Sequence, residues 1–275
     1  MFKMEQVNVF GGSGFVGSEY AAKYPCVLNR RDNYWPCTSN LLYFISTVDN
    51  YNVFKDVHKD IDTNLNILMN VVERIKEPEN TIFNFISSWF VYGNVALPAK
   101  ETHPCDPRGF YSITKRAAEQ LLISYCATMG MKYRILRLAN VVGSNATKVS
   151  AKRNALQYMI AQLKNNETVQ LYEGGYALRD FIHIDDCVDA INLVITKGKL
   201  NNIYNVGTGH PTKMREVIMT AKKMLRSKSE IEAIPTPEFH KIIQVRSMYL
   251  DVTKLFDLGF QPKYVTMEDW LPTLL

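Results

Sequence analysis

Val7-Asn8-Val9-Phe10-Gly11-Gly12-Ser13-Gly14-Phe15-Val16-Gly17 is the stretch that decides the fold. The first four residues read as a short buried strand, and a helix can start as soon as the glycines end. Gly11, Gly14 and Gly17 stand three apart. The first permits a tight turn, the second lets the backbone approach a pyrophosphate, and the third lets helix and strand pack closely. Exposed N–H groups at the helix start then bind the phosphates. With 14 glycines in the chain, this spacing arises by chance roughly 0.04 times. A dinucleotide-binding loop is therefore expected, with Gly11, Gly14, Phe15, Val16 and Gly17 as its residues.

Working outward, Cys26-Val27-Leu28-Asn29 reads as a second strand, Leu41 to Ile45 as a third, Thr81 to Ile86 as a fourth and Tyr133 to Leu138 as a fifth. Helical patterns lie at Thr63 to Lys76 and Ser112 to Met129. Strands alternating with helices imply an α/β fold, a doubly wound parallel sheet of Rossmann type. From about Val149 the pattern is less regular, and the proline-bearing stretch Ile234 to Phe239 suggests a loop-rich lobe. We expect a dinucleotide-binding domain over 1–148, with 177–207 returning to it, and a smaller C-terminal substrate-binding lobe over 149–275. One interval is too short. Ser18 to Asn40 holds one helix and one strand, whereas a full half-fold needs a further strand–helix unit there. The sheet is expected to be shortened at one edge, which leaves the adenosine end of the cofactor less enclosed.

The second strand ends in Asn29-Arg30-Arg31-Asp32. An acid there would bind the ribose hydroxyls of NAD, whereas arginines accept the extra phosphate of NADP. Asn29, Arg30 and Arg31 lean towards NADP over NAD; a solvated basic turn is the bland alternative.

Tyr111 and Lys115 are four apart at a helix start, so both project from one face. A nearby ammonium stabilises tyrosinate, and the phenol can then take or return a hydroxyl proton while hydride moves. Alone the spacing is weak, since 15 tyrosines give about one such pair by chance. Tyr51 with Lys55 is a second instance. Context separates them. Tyr111 follows a strand that ends in Ser87-Ser88, and in this architecture ligands bind at the carboxyl ends of strands. Ser88, Tyr111 and Lys115 are the catalytic candidates.

Bulk properties set the frame. The 275 residues, 47% hydrophobic and 21% charged, are those of a globular protein. The longest apolar runs are strand-sized, far short of a membrane span. Strand-like sequence begins within a few residues of Met1, leaving no room for a signal peptide. A net charge of +5 is mild and fits an anionic small molecule as easily as nucleic acid, and no basic run is long enough to suggest a nucleic-acid arm. Five scattered cysteines with no CxxC pair read as reduced thiols, hence a cytoplasmic setting, and five dispersed histidines give no metal-ligand spacing.

With these motifs in place, the chain resembles the nucleotide-sugar epimerase/dehydratase branch of the extended short-chain dehydrogenase/reductases over nearly its whole length. The resemblance rests on the glycine loop, Thr63-Asn64-Leu65-Asn66, Ser87-Ser88-Trp89-Phe90-Val91-Tyr92-Gly93, Glu101, Pro107 and Tyr111-Ser112-Ile113-Thr114-Lys115. It continues through Arg137-Leu138-Ala139-Asn140-Val141-Val142-Gly143, Arg179-Asp180-Phe181-Ile182-His183-Ile184-Asp185-Asp186, Tyr204-Asn205-Val206-Gly207 and Arg246. It implies that Asn64 supports the cofactor site, that Lys115 also holds the cofactor ribose, and that Asn140, Arg179 and Arg246 bind a substrate diphosphate. Ser87 and Trp89 join the substrate-binding candidates. In the family, dehydratases carry acidic residues just after the catalytic Ser or Thr; Trp89 and Phe90 stand there instead, which argues against 4,6-dehydration.

The expected function is an NAD(P)-dependent epimerase removing and returning hydride at C4 of a nucleotide-linked hexose. Its closest rival is an NADPH-dependent reductase of a nucleotide-linked keto-deoxysugar, which releases cofactor every cycle. A dinucleotide-sensing regulator is the non-enzymatic alternative. The family also implies a homodimer through the helix that follows Tyr111, carrying Ala117, Ala118, Leu121, Leu122 and Tyr125.

Overall fold

The computed structural model describes residues 6–48, 50–144, 155–243 and 245–275. The chain opens with β1 (Val7–Phe10), α1 (Phe15–Lys23), β2 (Cys26–Leu28) and β3 (Asn40–Tyr43). A helical run follows, made of α2 (Lys59–Ile61), a π-turn at Asp62–Asn66 and α3 (Ile67–Val72). Next come β4 (Ile82–Ser88), α4 (Phe110–Met129), β5 (Lys132–Leu138), β6 (Asn140–Val142), α5 (Ala155–Lys164), β7 (Val169–Tyr172) and β8 (Leu178–His183). The rest is α6 (Ile184–Lys197), β9 (Asn202–Val206), β10 (Pro211–Lys213), α7 (Met214–Leu225), β11 (Ile231–Ile234), α8 (Glu238–Ile243), α9 (Thr253–Phe256) and α10 (Met267–Trp270).

The main sheet is wholly parallel, in the order β2-β1-β3-β4-β5-β9. Side-chain alternation sends its strands to two cores. Val9, Leu42, Ile86 and Leu136 face α1 and α6. Phe10, Leu41, Tyr43, Phe83 and Phe85 face α3 and α4. A third core, built from α5, β7, β8, α7 and Trp270, belongs to the C-terminal lobe and its two small sheets, β10-β8-β6 and β11-β7. Strand ends differ slightly from the sequence expectation, and the helical run begins earlier, at Lys59. Its first turn is tied down because Asp60 accepts from Thr47 and from Asn52.

The shortened edge is visible directly. β2 is the last strand, and residues 29–39 return to β3 without a helix. Asn8, fully buried in mid-β1, replaces the missing cover with hydrogen bonds. Its Oδ1 accepts from the Cys37 N–H at 3.0 Å, and its Nδ2 donates to Val27 O at 3.1 Å and to Asn29 Oδ1 at 2.7 Å. An apolar residue there would leave these short-crossover groups unpaired. Among the described residues no helix is long and apolar enough to cross a membrane.

Candidate active site

A cleft of about 1080 Å³ opens at the carboxyl ends of the main-sheet strands and runs into the C-terminal lobe. Gly11, Gly14, Phe15, Val16 and Gly17 line one end of it. Gly11 has φ +82, and a Cβ there would lie 2.9 Å from the Ile45 nitrogen. A Cβ on Gly17 would run into the Gly11 carbonyl oxygen. Gly14, by contrast, has no atom nearer than 3.4 Å to such a Cβ, and as N-cap of α1 it offers no side chain to the first-turn N–H groups. Those donors are left for an anion. The loop is thus a cradle whose backbone a side chain would obstruct, and a dinucleotide diphosphate fits it.

Ser88 ends β4, and its Oγ accepts from the Phe90 N–H at 3.3 Å. Tyr111 enters from the first turn of α4, where the Ser112 hydroxyl accepts from the Gly109 N–H at 2.9 Å. Burial raises the Tyr111 phenol above its ordinary value. A hydrogen bond with Ser88 opposes this, Asp60 adds to the rise, and a hydrogen bond with Ser46 lowers it. Lys115, one turn on, donates Nζ to the Ile86 carbonyl at 2.6 Å and lies 4.1 Å over the Phe85 ring. Burial pushes its amine down to about 7, with Glu119 pulling the other way. Burial thus outweighs the two serine hydrogen bonds at the phenol, while the Lys115 amine is desolvated and turned to a backbone carbonyl.

The other candidates separate by position. Ser87 lines the cleft, yet its hydroxyl donates to Glu119 at 2.6 Å. Glu119 in turn takes two hydrogen bonds from buried Arg137 and one from Arg116. Asn64 is buried and does not line the cleft. Its Oδ1 accepts from Ser46 and the Thr47 N–H, and its Nδ2 donates to Thr47 and Thr114. It fixes the loop after β3 against α4, which puts Ser46 beside Tyr111. Asn140 lines the cleft with its amide on the Asp180 carbonyl. Arg179 also lines it, but NH1 donates to the Leu178 and Arg246 carbonyls and NH2 to Val245. Burial lowers its guanidinium to about 10. Arg246 is exposed and lies off the cleft, as do Asn29, Arg30 and Arg31.

Trp89 stacks on Phe90 at 3.9 Å, Phe90 meets Tyr111 edge-on at 6.0 Å, and Arg179 sits 5.6 Å over Trp89. These residues make an aromatic wall beside the phenol. Among the described residues no Asp or Glu lines the cleft. Sequence reading missed Ser46, Tyr51 and His240, all of which line it. Ser46 follows the end of β3 as Ser88 ends β4, so the rule that found one hydroxyl would have found the other.

Residues 44–207 match the NAD dependent epimerase/dehydratase family. The chain belongs to it. Membership brings dependence on a nicotinamide dinucleotide and agrees with the extended short-chain dehydrogenase/reductase fold. A putative UDP-glucose 4-epimerase of Methanocaldococcus jannaschii is 28% identical over 74% of this chain and 65% of its own length. The chain thus spans just under two thirds of that relative. The GDP-6-deoxy-D-mannose reductase of Pseudomonas aeruginosa is 27% identical over 81% of this chain and 74% of its own. In fold, the chain matches the structure of RMD from Pseudomonas aeruginosa complexed with NADPH at TM-score 0.83 and 24% identity, over 99% of this chain and 98% of that one.

Proposed function

We propose that this chain reduces a nucleotide-linked 4-keto-deoxysugar with exchangeable NADPH. The observation that carries this reading is the open cofactor edge: no described residue between Gly17 and Phe44 lines the cleft. The Asn29 amide is already spent on the Asn33 and Trp35 carbonyls, and its oxygen on Asn8. No acid from β2 is left to hold a ribose diol, while Arg30 and Arg31 are exposed beside that strand end and suit a 2′-phosphate. The glycine loop would hold the diphosphate and Lys115 the ribose.

A bound nicotinamide would supply the hydride. Tyr111 gives its phenolic proton to the carbonyl oxygen as that oxygen becomes a hydroxyl, and Ser88 orients the oxygen. The Phe90 N–H on Ser88 Oγ leaves the serine proton directed to its other partners. Loss of water between C5 and C6 needs a further acid–base group at the sugar, and among the described residues no Asp or Glu lines the cleft to supply one, which argues against 4,6-dehydration. The exposed Ile113 and Leu121 on α4 suit pairing with a second copy.

A C4 epimerase of a nucleotide-linked hexose is the second reading, favoured by a cleft large enough for a keto sugar to turn over between two hydride transfers. Release of nucleotide by denaturing the purified protein decides between them. Little bound cofactor, together with NADPH consumption on a nucleotide-linked 4-keto-6-deoxysugar, supports reduction. Stoichiometric bound NAD would transfer the assignment to the epimerase.

A further inference from the structure

The hydrogen bonds of Asn64 decide which way the Ser46 proton points. The two Asn64 amide protons go to Thr47 Oγ1 at 2.9 Å and to Thr114 Oγ1 at 2.8 Å. Both hydroxyls can only accept there, because the Thr47 proton goes to the Asp60 carboxylate and the Thr114 proton to the Phe110 and Tyr111 carbonyls. The amide orientation is thereby fixed, with Oδ1 accepting from the Thr47 N–H at 2.8 Å and from the Ser46 hydroxyl at 3.0 Å. Thr114 grips the backbone of Tyr111 itself, so one asparagine ties Ser46 and the helix turn bearing Tyr111 into a single frame. Ser46, Ser88 and Tyr111 all line the cleft, and Ser46 hydrogen-bonds the Tyr111 phenol as Ser88 does.

A structural bridge accounts for the bond from Ser46 to Asn64. It does not account for the bond to the phenol, which a serine serving only Asn64 has no need to make. The charge balance of the reaction gives that second bond a use. Tyr111 gives its proton to the sugar carbonyl oxygen as hydride reaches the carbon, and is left as a phenolate until solvent returns the proton. A desolvated anion needs hydrogen-bond donors. Ser88 is then occupied by the substrate oxygen. The Lys115 amine is held by the Ile86 carbonyl at 2.6 Å, over the Phe85 ring, and has the cofactor ribose to bind. From α2, the buried Asp60 carboxylate opposes the new charge. Ser46 can supply the donor cheaply, because Asn64 Oδ1 keeps the Thr47 N–H when the serine proton turns away.

We propose that Ser46 is a further catalytic residue, whose hydroxyl turns from Asn64 to the Tyr111 oxygen as the phenol loses its proton and carries the resulting charge while Ser88 stays with the substrate. This rests on the reductase reading above. The test compares wild type with Ser46→Ala, first with NADPH and either dTDP-4-keto-6-deoxyglucose or GDP-4-keto-6-deoxymannose as substrate. Loss of a donor to an anion should lower kcat about tenfold or more and move the falling limb of the pH–rate profile to higher pH. KM and NADPH affinity should stay near wild type. A second readout needs no substrate: the carbon NMR resonance of Tyr111 Cζ, identified by its loss in Tyr111→Phe, should shift in Ser46→Ala at neutral pH. An unshifted resonance, a wild-type kcat, or a lowered kcat with an unmoved limb overturns the proposal. A wild type that reduces neither keto sugar would instead bring down the reading on which it rests, and the Cζ resonance then still decides the contact.

Discussion

The Lys115 amine donates to the Ile86 carbonyl at 2.6 Å, inside the protein and one helical turn from Tyr111. Lysine in the unfolded chain holds its proton to about 10.4, and in the fold to about 7. Between those values the unfolded chain binds more protons, so stability should rise with pH, by at most ~1.4 kcal/mol per unit. Below about 7 this contribution goes flat. Urea midpoints at pH 7, 8 and 9 should show that rise in the wild-type protein, and Lys115→Met should lack it.

Tyr111→Phe removes the proton carrier and should lower kcat by about 10²–10⁴, while thermal stability and NADPH binding stay near wild type. Ser88→Ala removes a hydrogen bond that holds the phenol down. The phenol should then titrate higher, and the falling limb of the reductive pH–rate profile should move to higher pH. An unmoved limb would mean that another group sets it.

Glu119 joins Ser87, Arg116 and Arg137 in a buried ionic cluster. Arg137, with its hydrogen bonds and charge, holds this carboxyl below its ordinary value against burial. The stabilisation is present above the unfolded carboxylate pKa and lost as pH falls through the folded one. Glu119→Gln leaves Arg137 charged and buried without its counter-ion, which should cost about 3–5 kcal/mol in urea unfolding near pH 7. The gap from wild type should narrow on acidification.

Arg30 and Arg31 are exposed at the shortened edge. Replacing both with serine should weaken NADPH about tenfold or more, as expected for lost charge-assisted contacts to a phosphate. NADH should be nearly unaffected. Fluorescence titration of each reduced dinucleotide measures this, and equal loss for both would argue against a 2′-phosphate contact.

The glycine loop, the alternating strands and the Tyr111–Lys115 pair were legible because each is a local demand. A tight turn excludes a Cβ, a strand buried on both faces needs continuous apolar sequence, and a helix puts every fourth residue on one face. Even the missing edge unit could be read from chain length, since eleven residues between β2 and β3 cannot hold a helix and a strand. Asn8 gave no such sign. A lone asparagine inside a strand looks like a weak strand former until the crossover it clips is in view.

What the sequence determined by itself is the order of the main-sheet elements, the glycine turn between β1 and α1, and the placing of Tyr111 and Lys115 on one helix face. Only the tertiary structure decided which of them face the cleft. It turned Ser87 to Glu119, tied Arg179 to three backbone carbonyls, left Arg246 outside, and brought Tyr51 against His240 across 189 residues of chain. The physical reason is that spacing along a chain records backbone geometry. The partner a polar group finds, and the pKa that burial then imposes, depend on strand register and on which elements close over it.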